Sequence, residues 1–185
     1  MRIVGGKYKR RIIEFPEEHS KDYETRPTKD RIREAMFNAL GNTMEDEVVL
    51  DLFAGSGSLG LEAISRGASK AYFVDARKEA IQAIRHNVTS LDIHNAVLMQ
   101  KDYQKALEYF KENQIQFSLV LLDPPYKMDV YVEILDFLEK HDLLLKPARI
   151  VMESDHPILL DESKYNVRHY QYGFIHVQII SRREK

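Results

Sequence analysis

The chain contains no cysteine. That absence excludes disulfides and thiolate metal sites, and it suits a reducing compartment. No stretch approaches the ~18 consecutive apolar residues that a membrane-crossing helix needs, and the N-terminus has no apolar signal core. These gaps predict a cytoplasmic protein with no membrane partner and no metal. A dominant charge is missing too: 27 Lys and Arg stand against 29 Asp and Glu, a formal net charge of −2. That balance argues against binding of nucleic acid through overall positive charge, so charge distribution matters more than the total. There is no internal repeat, low-complexity tract or interdomain linker. With 185 residues, 44% of them hydrophobic, the chain can bury one good core. We therefore expect one domain over 1–185, with 1–28 as an N-terminal β-hairpin and loop extension and 29–185 as the core.

What is present is unevenly placed. Residues 1–11 hold Arg2, Lys7, Lys9, Arg10 and Arg11 and no acid, a local excess that can meet phosphates or simply blunt a sheet edge. Ile3-Val4-Gly5-Gly6 and Ile12-Ile13-Glu14-Phe15 read as two short strands about a glycine turn. Residues 16–28 read as a loop in which Thr28 caps a following helix, whose Ile32, Ala35, Met36, Ala39 and Leu40 share one face. From Val48 onward, short apolar runs alternate with helical segments. The runs "VVLDLF", "AYFVD", "AVLMQ", "FSLVLLD" and "RIVME" have the near-continuous apolar character of parallel strands buried on both faces. Helices are expected at 58–66, 77–90, 104–112 and 128–139. The fold class is therefore α/β, a doubly wound Rossmann-like sheet. The closing "YNVRHYQYGFIHVQII" leaves no room for a crossover helix, so its two strands form an antiparallel hairpin.

In such sheets the ligand lies beyond the C-terminal strand ends, so the residues just after each strand carry the information. "DLFAGSGSLGLEA" places Gly55, Gly57 and Gly60 in a G-x-G-x-x-G turn between strand and helix, a turn that lets a ligand approach the backbone. Asp75 follows at the spacing of an acid that accepts hydrogen bonds from ribose hydroxyls. These two features admit NAD and S-adenosylmethionine alike. Asp51 favours the second, because a carboxylate repels a pyrophosphate and attracts an ammonium and a sulfonium. Its alternative role is a structural one, bonded to loop amides. Asp102, in "QKDYQ", is placed either to accept from an adenine amino group or to cap a helix, with Tyr103 able to pack beside the ring.

The stretch "LLDPPYK" ends a strand in an acid, two prolines and an aromatic. An exocyclic amine on a nucleobase is a poor nucleophile, since its lone pair is delocalised into the ring. The Asp123 carboxylate and the Pro124 carbonyl can accept both of its N–H groups and aim the nitrogen at a methyl sulfonium. Pro124 and Pro125 stiffen that arrangement, and Tyr126 offers a face on which an unstacked base can lie. A purely structural Asp-Pro-Pro turn is the plainer reading.

On "MRIVGGKYKRRI", "TRPTKDRIREAMFNAL", "DLFAGSGSLGLEAISRGA", "DPPY" and the closing hairpin, the sequence resembles the class I S-adenosylmethionine-dependent methyltransferases. More narrowly it resembles the RsmD family, which methylates N2 of a guanine in small-subunit 16S ribosomal RNA. The resemblance implies S-adenosyl-L-methionine at Gly55 and Gly57, with Asp75 on the ribose, Asp102 near the adenine, and Phe53, Ala76 and Tyr103 in the same cofactor-binding set as Asp51. It implies Asp123, Pro124, Pro125 and Tyr126 as the amine-binding catalytic motif, and it places Arg26 and Thr28 in a motif over the cofactor. Arg2 to Arg11, with Arg31 and Arg33, are then the expected contacts to RNA phosphates. The near-neutral charge points to a small-subunit particle rather than naked RNA as partner. Methylation of an adenine N6 or a glutamine amide, an NAD-dependent oxidoreductase, and a ribosome-assembly binding protein are the competing readings.

Overall fold

The computed structural model describes residues 1–16 and 26–184. Its elements run α1 (Arg26–Leu40), β1 (Val48–Asp51), α2 (Ser58–Ser65), β2 (Lys70–Asp75), α3 (Lys78–Ser90), β3 (Ala96–Gln100), α4 (Tyr103–Glu112), β4 (Phe117–Leu122), α5 (Tyr131–Lys140), β5 (Leu144–Ser154), β6 (Tyr165–Tyr172) and β7 (Ile175–Arg182). The strands form one seven-stranded sheet in the order β3-β2-β1-β4-β5-β7-β6. The first five are parallel to their neighbours, while β7 runs antiparallel to both β5 and β6. The expected terminal hairpin is present, and its second strand is the one inserted against β5.

Alternation along the buried strands assigns the two faces. Val49, Phe73, Leu119, Leu121 and Val151 pack with α1, α2 and α3, whereas Leu50, Tyr72, Val74, Val120, Leu122 and Met152 pack with α4 and α5. On the second face the rings of Tyr72, Phe110 and Phe117 meet edge to face at 4.9–5.5 Å, an arrangement that suits aromatic quadrupoles. Because β1 pairs with β2 on one side and β4 on the other, the connections leave it in opposite directions. A cleft therefore opens beyond the C-terminal ends of these strands, at the point where strand order reverses.

Of the boundaries that differ from the sequence reading, two bear on the cleft. Helix α1 begins at Arg26, so residues 26–28 form its first turn and Thr28 lies inside the helix rather than capping it. Pro27 is compatible with that position because its missing N–H belongs to the donors a first turn leaves unpaired anyway. Strand β1 stops at Asp51, and Leu52 and Phe53 already belong to the turn at the cleft.

Helix α2 is buried along nearly its whole length. A Cβ on Gly60 would stand 2.4 Å from Cε1 of Phe73, so only glycine lets the helix approach β2 this closely. The other end of α2 holds the N-terminal arm. The arm folds back through a single antiparallel bridge, Arg2 to Ile12, rather than through two full strands, and it buries Ile3 and Ile13. The Val4 amide donates to Glu62 Oε2 at 3.0 Å and the Tyr8 amide to Ser65 Oγ at 2.9 Å. Glu62 is fully buried and also accepts from Arg33 Nε at 3.3 Å and Arg66 Nε at 3.0 Å.

Removing one member of a buried ion cluster leaves the others uncompensated. Glu62→Ala should therefore lower the free energy of unfolding by about 3–5 kcal/mol, measured by urea denaturation. A loss below about 1 kcal/mol, the scale of an exposed pair, would show that Glu62 does not hold the arm.

Candidate active site

The cleft has a volume of about 760 Å³ and is lined from five directions: the glycine turn, the ends of β2, β3, β4 and β5, the N-terminal half of α1, the start of the arm, and Phe15 with Pro16. That volume falls in the range of ligand sites and can hold a nucleoside-sized cofactor.

Of the residues singled out in the sequence, Phe53, Gly55, Asp75, Ala76, Asp102, Tyr103, Asp123, Pro124, Pro125 and Tyr126 all line this one cleft. Gly55 has a φ of +57°, and a Cβ there would meet nothing within 4 Å. Its backbone faces open space, so a ligand can come close to it. Gly57 opens α2 and faces Ile84 and Phe73. Asp75 ties the turn to β2: its Oδ2 accepts the Gly55 N–H at 2.9 Å, and its Oδ1 accepts the Arg77 N–H at 2.9 Å and Nε at 3.2 Å. Asp102 caps α4 by accepting the Gln104 N–H at 2.9 Å on Oδ1, and it lines the cleft. The Tyr103 ring packs against Phe53 at 5.4 Å, and its hydroxyl donates to Glu133 at 3.2 Å. The side chains of Arg26 and Thr28 lie outside the described residues.

Asp51 has a different place. It is buried behind the wall of the cleft, where its Oδ2 accepts the Gly60 N–H at 3.0 Å. Burial pushes its carboxyl up to about 7; the Gly60 bond opposes that rise, and the nearby charges of Asp123 and Asp75 add to it. The geometry thus gives Asp51 a structural bond, to an amide in the first turn of α2, and any pull it exerts on a cation acts through the glycine turn.

At the end of β4 the acid and the prolines face the glycine turn across the cleft. Tyr126 is 39% exposed at the mouth, and its ring meets Phe174 of the β6–β7 turn at 6.4 Å, nearly perpendicular. Burial raises its phenol to about 12, with Glu153, Asp123 and Asp155 adding to the rise, so the hydroxyl stays neutral. Two residues missed in the sequence complete this end of the site: Lys29 of α1 and Glu153 of β5. Burial holds both Asp123 and Glu153 above the ordinary carboxylate range, the charge of Asp123 raises Glu153 further, and Lys29 pulls both back down. Glu153 ends the run "RIVME" and was open to discovery by the same strand-end rule that found Asp75 and Asp123.

One expected phosphate contact is not available. Arg33 is 3% exposed and is spent on Glu62, on Asp30 at 3.0 Å and on the Arg2 carbonyl. Arg2, Lys7, Lys9, Arg10, Arg11 and Arg31 are exposed.

The family model described as Conserved hypothetical protein 95 matches residues 1–181. Ribosomal RNA small subunit methyltransferase D of Escherichia coli K12 is 33% identical over 155 residues, covering 84% of this chain and 75% of that protein. YlbH of Bacillus subtilis 168 is 34% identical over 187 residues, covering 99% of this chain and 100% of its own. Among solved structures, yhhF from Escherichia coli matches with a TM-score of 0.83 at 29% identity, covering 100% of this chain and 99% of that one.

The raised Asp51 carboxyl sets a pH dependence. Between its ordinary value of 3.8 and about 7 the folded chain binds this proton more tightly than the unfolded one, so the group's contribution to stability is lost as pH rises through that window. Asp51→Asn keeps an acceptor for the Gly60 amide and removes the ionisation. Urea melts from pH 4 to 8 should show the variant gaining on the wild type by a few kcal/mol. Parallel curves would mean that Asp51 titrates normally.

Proposed function

The chain belongs to the Conserved hypothetical protein 95 family, and on that premise we propose that it is an S-adenosylmethionine-dependent methyltransferase acting on the exocyclic N2 amine of a guanine in small-subunit 16S ribosomal RNA. The observation that carries this reading is the single cleft in which Asp123-Pro124-Pro125-Tyr126 faces the glycine turn and its two strand-end acids. The similarity to a ribosomal RNA small subunit methyltransferase over most of both chains supports the substrate class.

The residues fit the cofactor. The open backbone at Gly55 receives its amino-acid portion, Asp75 takes the ribose hydroxyls, and the free oxygen of Asp102 takes the adenine amine beside Phe53 and Tyr103. When bound, S-adenosylmethionine supplies a methyl group made electrophilic by its sulfonium. The acid-lined cleft suits that positive charge and disfavours a pyrophosphate, which weighs against a dinucleotide.

Asp123 and the Pro124 carbonyl accept the two N–H bonds of the target amine and fix its direction, and Pro125 limits the freedom of that pair. Tyr126, neutral and half-exposed at the mouth, stacks on a base withdrawn from its helix. The exposed basic arm, Arg2 to Arg11 with Arg31, meets phosphates outside the acidic cleft, where a charged backbone is not repelled. We read the chain as one methyltransferase domain, 29–185, carrying the arm of 1–28, and a small-subunit particle as its partner.

Incubation with labelled S-adenosylmethionine and unmodified small-subunit particles, followed by digestion to nucleosides and mass spectrometry, should place the label in N2-methylguanosine. Asp123→Ala should abolish that label while calorimetry still shows cofactor binding. Label in another nucleoside, or wild-type methylation by Asp123→Ala, would sink the assignment. Tyr126→Phe keeps the ring and should stay near wild type. Tyr126→Ala should lose ~1–3 kcal/mol of stacking, ~5–150-fold in kcat/KM. Equal rates for the two variants would mean that the ring does not hold the base.

A further inference from the structure

Strands β4 and β5 pair in parallel through Leu121↔Val151 and Leu122↔Met152. The next residue on each is an acid, Asp123 and Glu153, and both line the cleft. Neighbouring strands lie ~4.8 Å apart and paired residues point to the same side. Leu121 and Val151 face the α1 side of the sheet and Leu122 and Met152 the other, so alternation within β5 turns the Glu153 carboxyl toward α1, and Asp123 directly follows β4 at the same level of the sheet. Lys29 stands on that helix, and its charge acts on both acids. The Glu153 backbone is held in turn, since its carbonyl accepts the buried Tyr131 hydroxyl at 2.6 Å.

A pair of buried acids at the floor of a substrate cleft is costly unless something uses it. The methylation chemistry assigns work to Asp123 and leaves Glu153 idle. Two acceptors side by side match a substrate edge with two donors side by side. Among the nucleobase amines only guanine N2 has such a neighbour, the ring N1–H. The amines of adenine and cytosine sit beside an unprotonated ring nitrogen, and that of a glutamine side chain beside a carbonyl oxygen. Each of these would point a lone pair at the second carboxyl.

Resting on the guanine reading above, we infer that Glu153 is a specificity-determining residue that accepts the N1–H of the target guanine while Asp123 accepts the adjacent amine. Glu153 thereby selects guanine against every amine flanked by an acceptor. Lys29 keeps the acid pair tolerable before the base arrives.

The test compares small-subunit particles carrying guanosine or 2-aminopurine riboside at the methylated position. 2-Aminopurine keeps the amine and presents an acceptor where guanine presents N1–H. The wild type should prefer guanosine by ~10–100-fold in kcat/KM, the discrimination expected of a well-formed base-edge contact. Glu153→Gln, whose carboxamide can donate, should shrink that preference at least ~5-fold by slowing guanosine and speeding 2-aminopurine, with calorimetric cofactor binding unchanged. Equal wild-type rates on the two particles overturn the inference without any variant, so a failure of Glu153→Gln to fold does not protect it. A preference that Glu153→Gln leaves unchanged also overturns it. Absence of label from both particles overturns the inference together with the reading beneath it, and the missing methylguanosine tells the two failures apart.

Discussion

The geometry of the cleft is referred to one buried hydrogen bond, from the Gly60 amide to the Asp51 carboxylate. It joins the central strand to the first turn of α2, and with Asp75 on the Gly55 amide it holds the glycine turn at both ends. The bond requires an acceptor in a place where burial opposes the charge of a carboxylate, and a glycine whose missing Cβ leaves room for Phe73. Helix α2 can then sit close to β2, present its buried face to the sheet, and offer Glu62 and Ser65 to the arm.

Electrostatics divide the molecule into an acidic interior and a basic margin. Asp51, Asp75, Asp102, Asp123 and Glu153 gather at the strand ends although the chain as a whole is nearly neutral. Lys29, Arg77 and Lys101 are interspersed along the same cleft. Such a floor favours a cationic ligand and neutral hydrogen-bond donors over phosphates. The proline pair complements this division, since acceptors that cannot move do not need to be reorganised when a donor arrives.

The parallel core and most of the site were legible because each depends on local pattern. Apolar runs mark strands buried on both faces, and polar residues just after them mark the cleft, so Asp75, Asp102, Asp123 and Tyr126 could be found together. The remainder depends on pairing. Nothing local says that β7 is inserted between β5 and β6. Arg33 reads as a surface cation on a helix and becomes interior only because the arm folds over it. Glu153 ends an apolar run like the other strand-end acids, but its meaning comes from the register that sets it beside Asp123. Asp51 carries two open roles in the sequence, an attractor of cations and an acceptor for backbone amides, and only the placement of α2, whose Gly60 amide it accepts, decides for the second.

Helix α2 carries the glycine turn at its beginning and the arm's attachment points at its end, and the arm supplies little core beyond Ile3 and Ile13. The arm's attachment is therefore asymmetric: the backbone amides of Val4, Tyr8 and Glu14 donate to the side chains of Glu62, Ser65 and Asn87, and any residue except proline brings such an amide. A chimaera could take the arm's side chains from a relative and keep these bonds, whereas replacing Glu62, Ser65 or Asn87 on the helices would remove an acceptor. The arm is thus freer to change in sequence than the helix residues that hold it, although the bonded partners lie 57 to 73 positions apart in the chain.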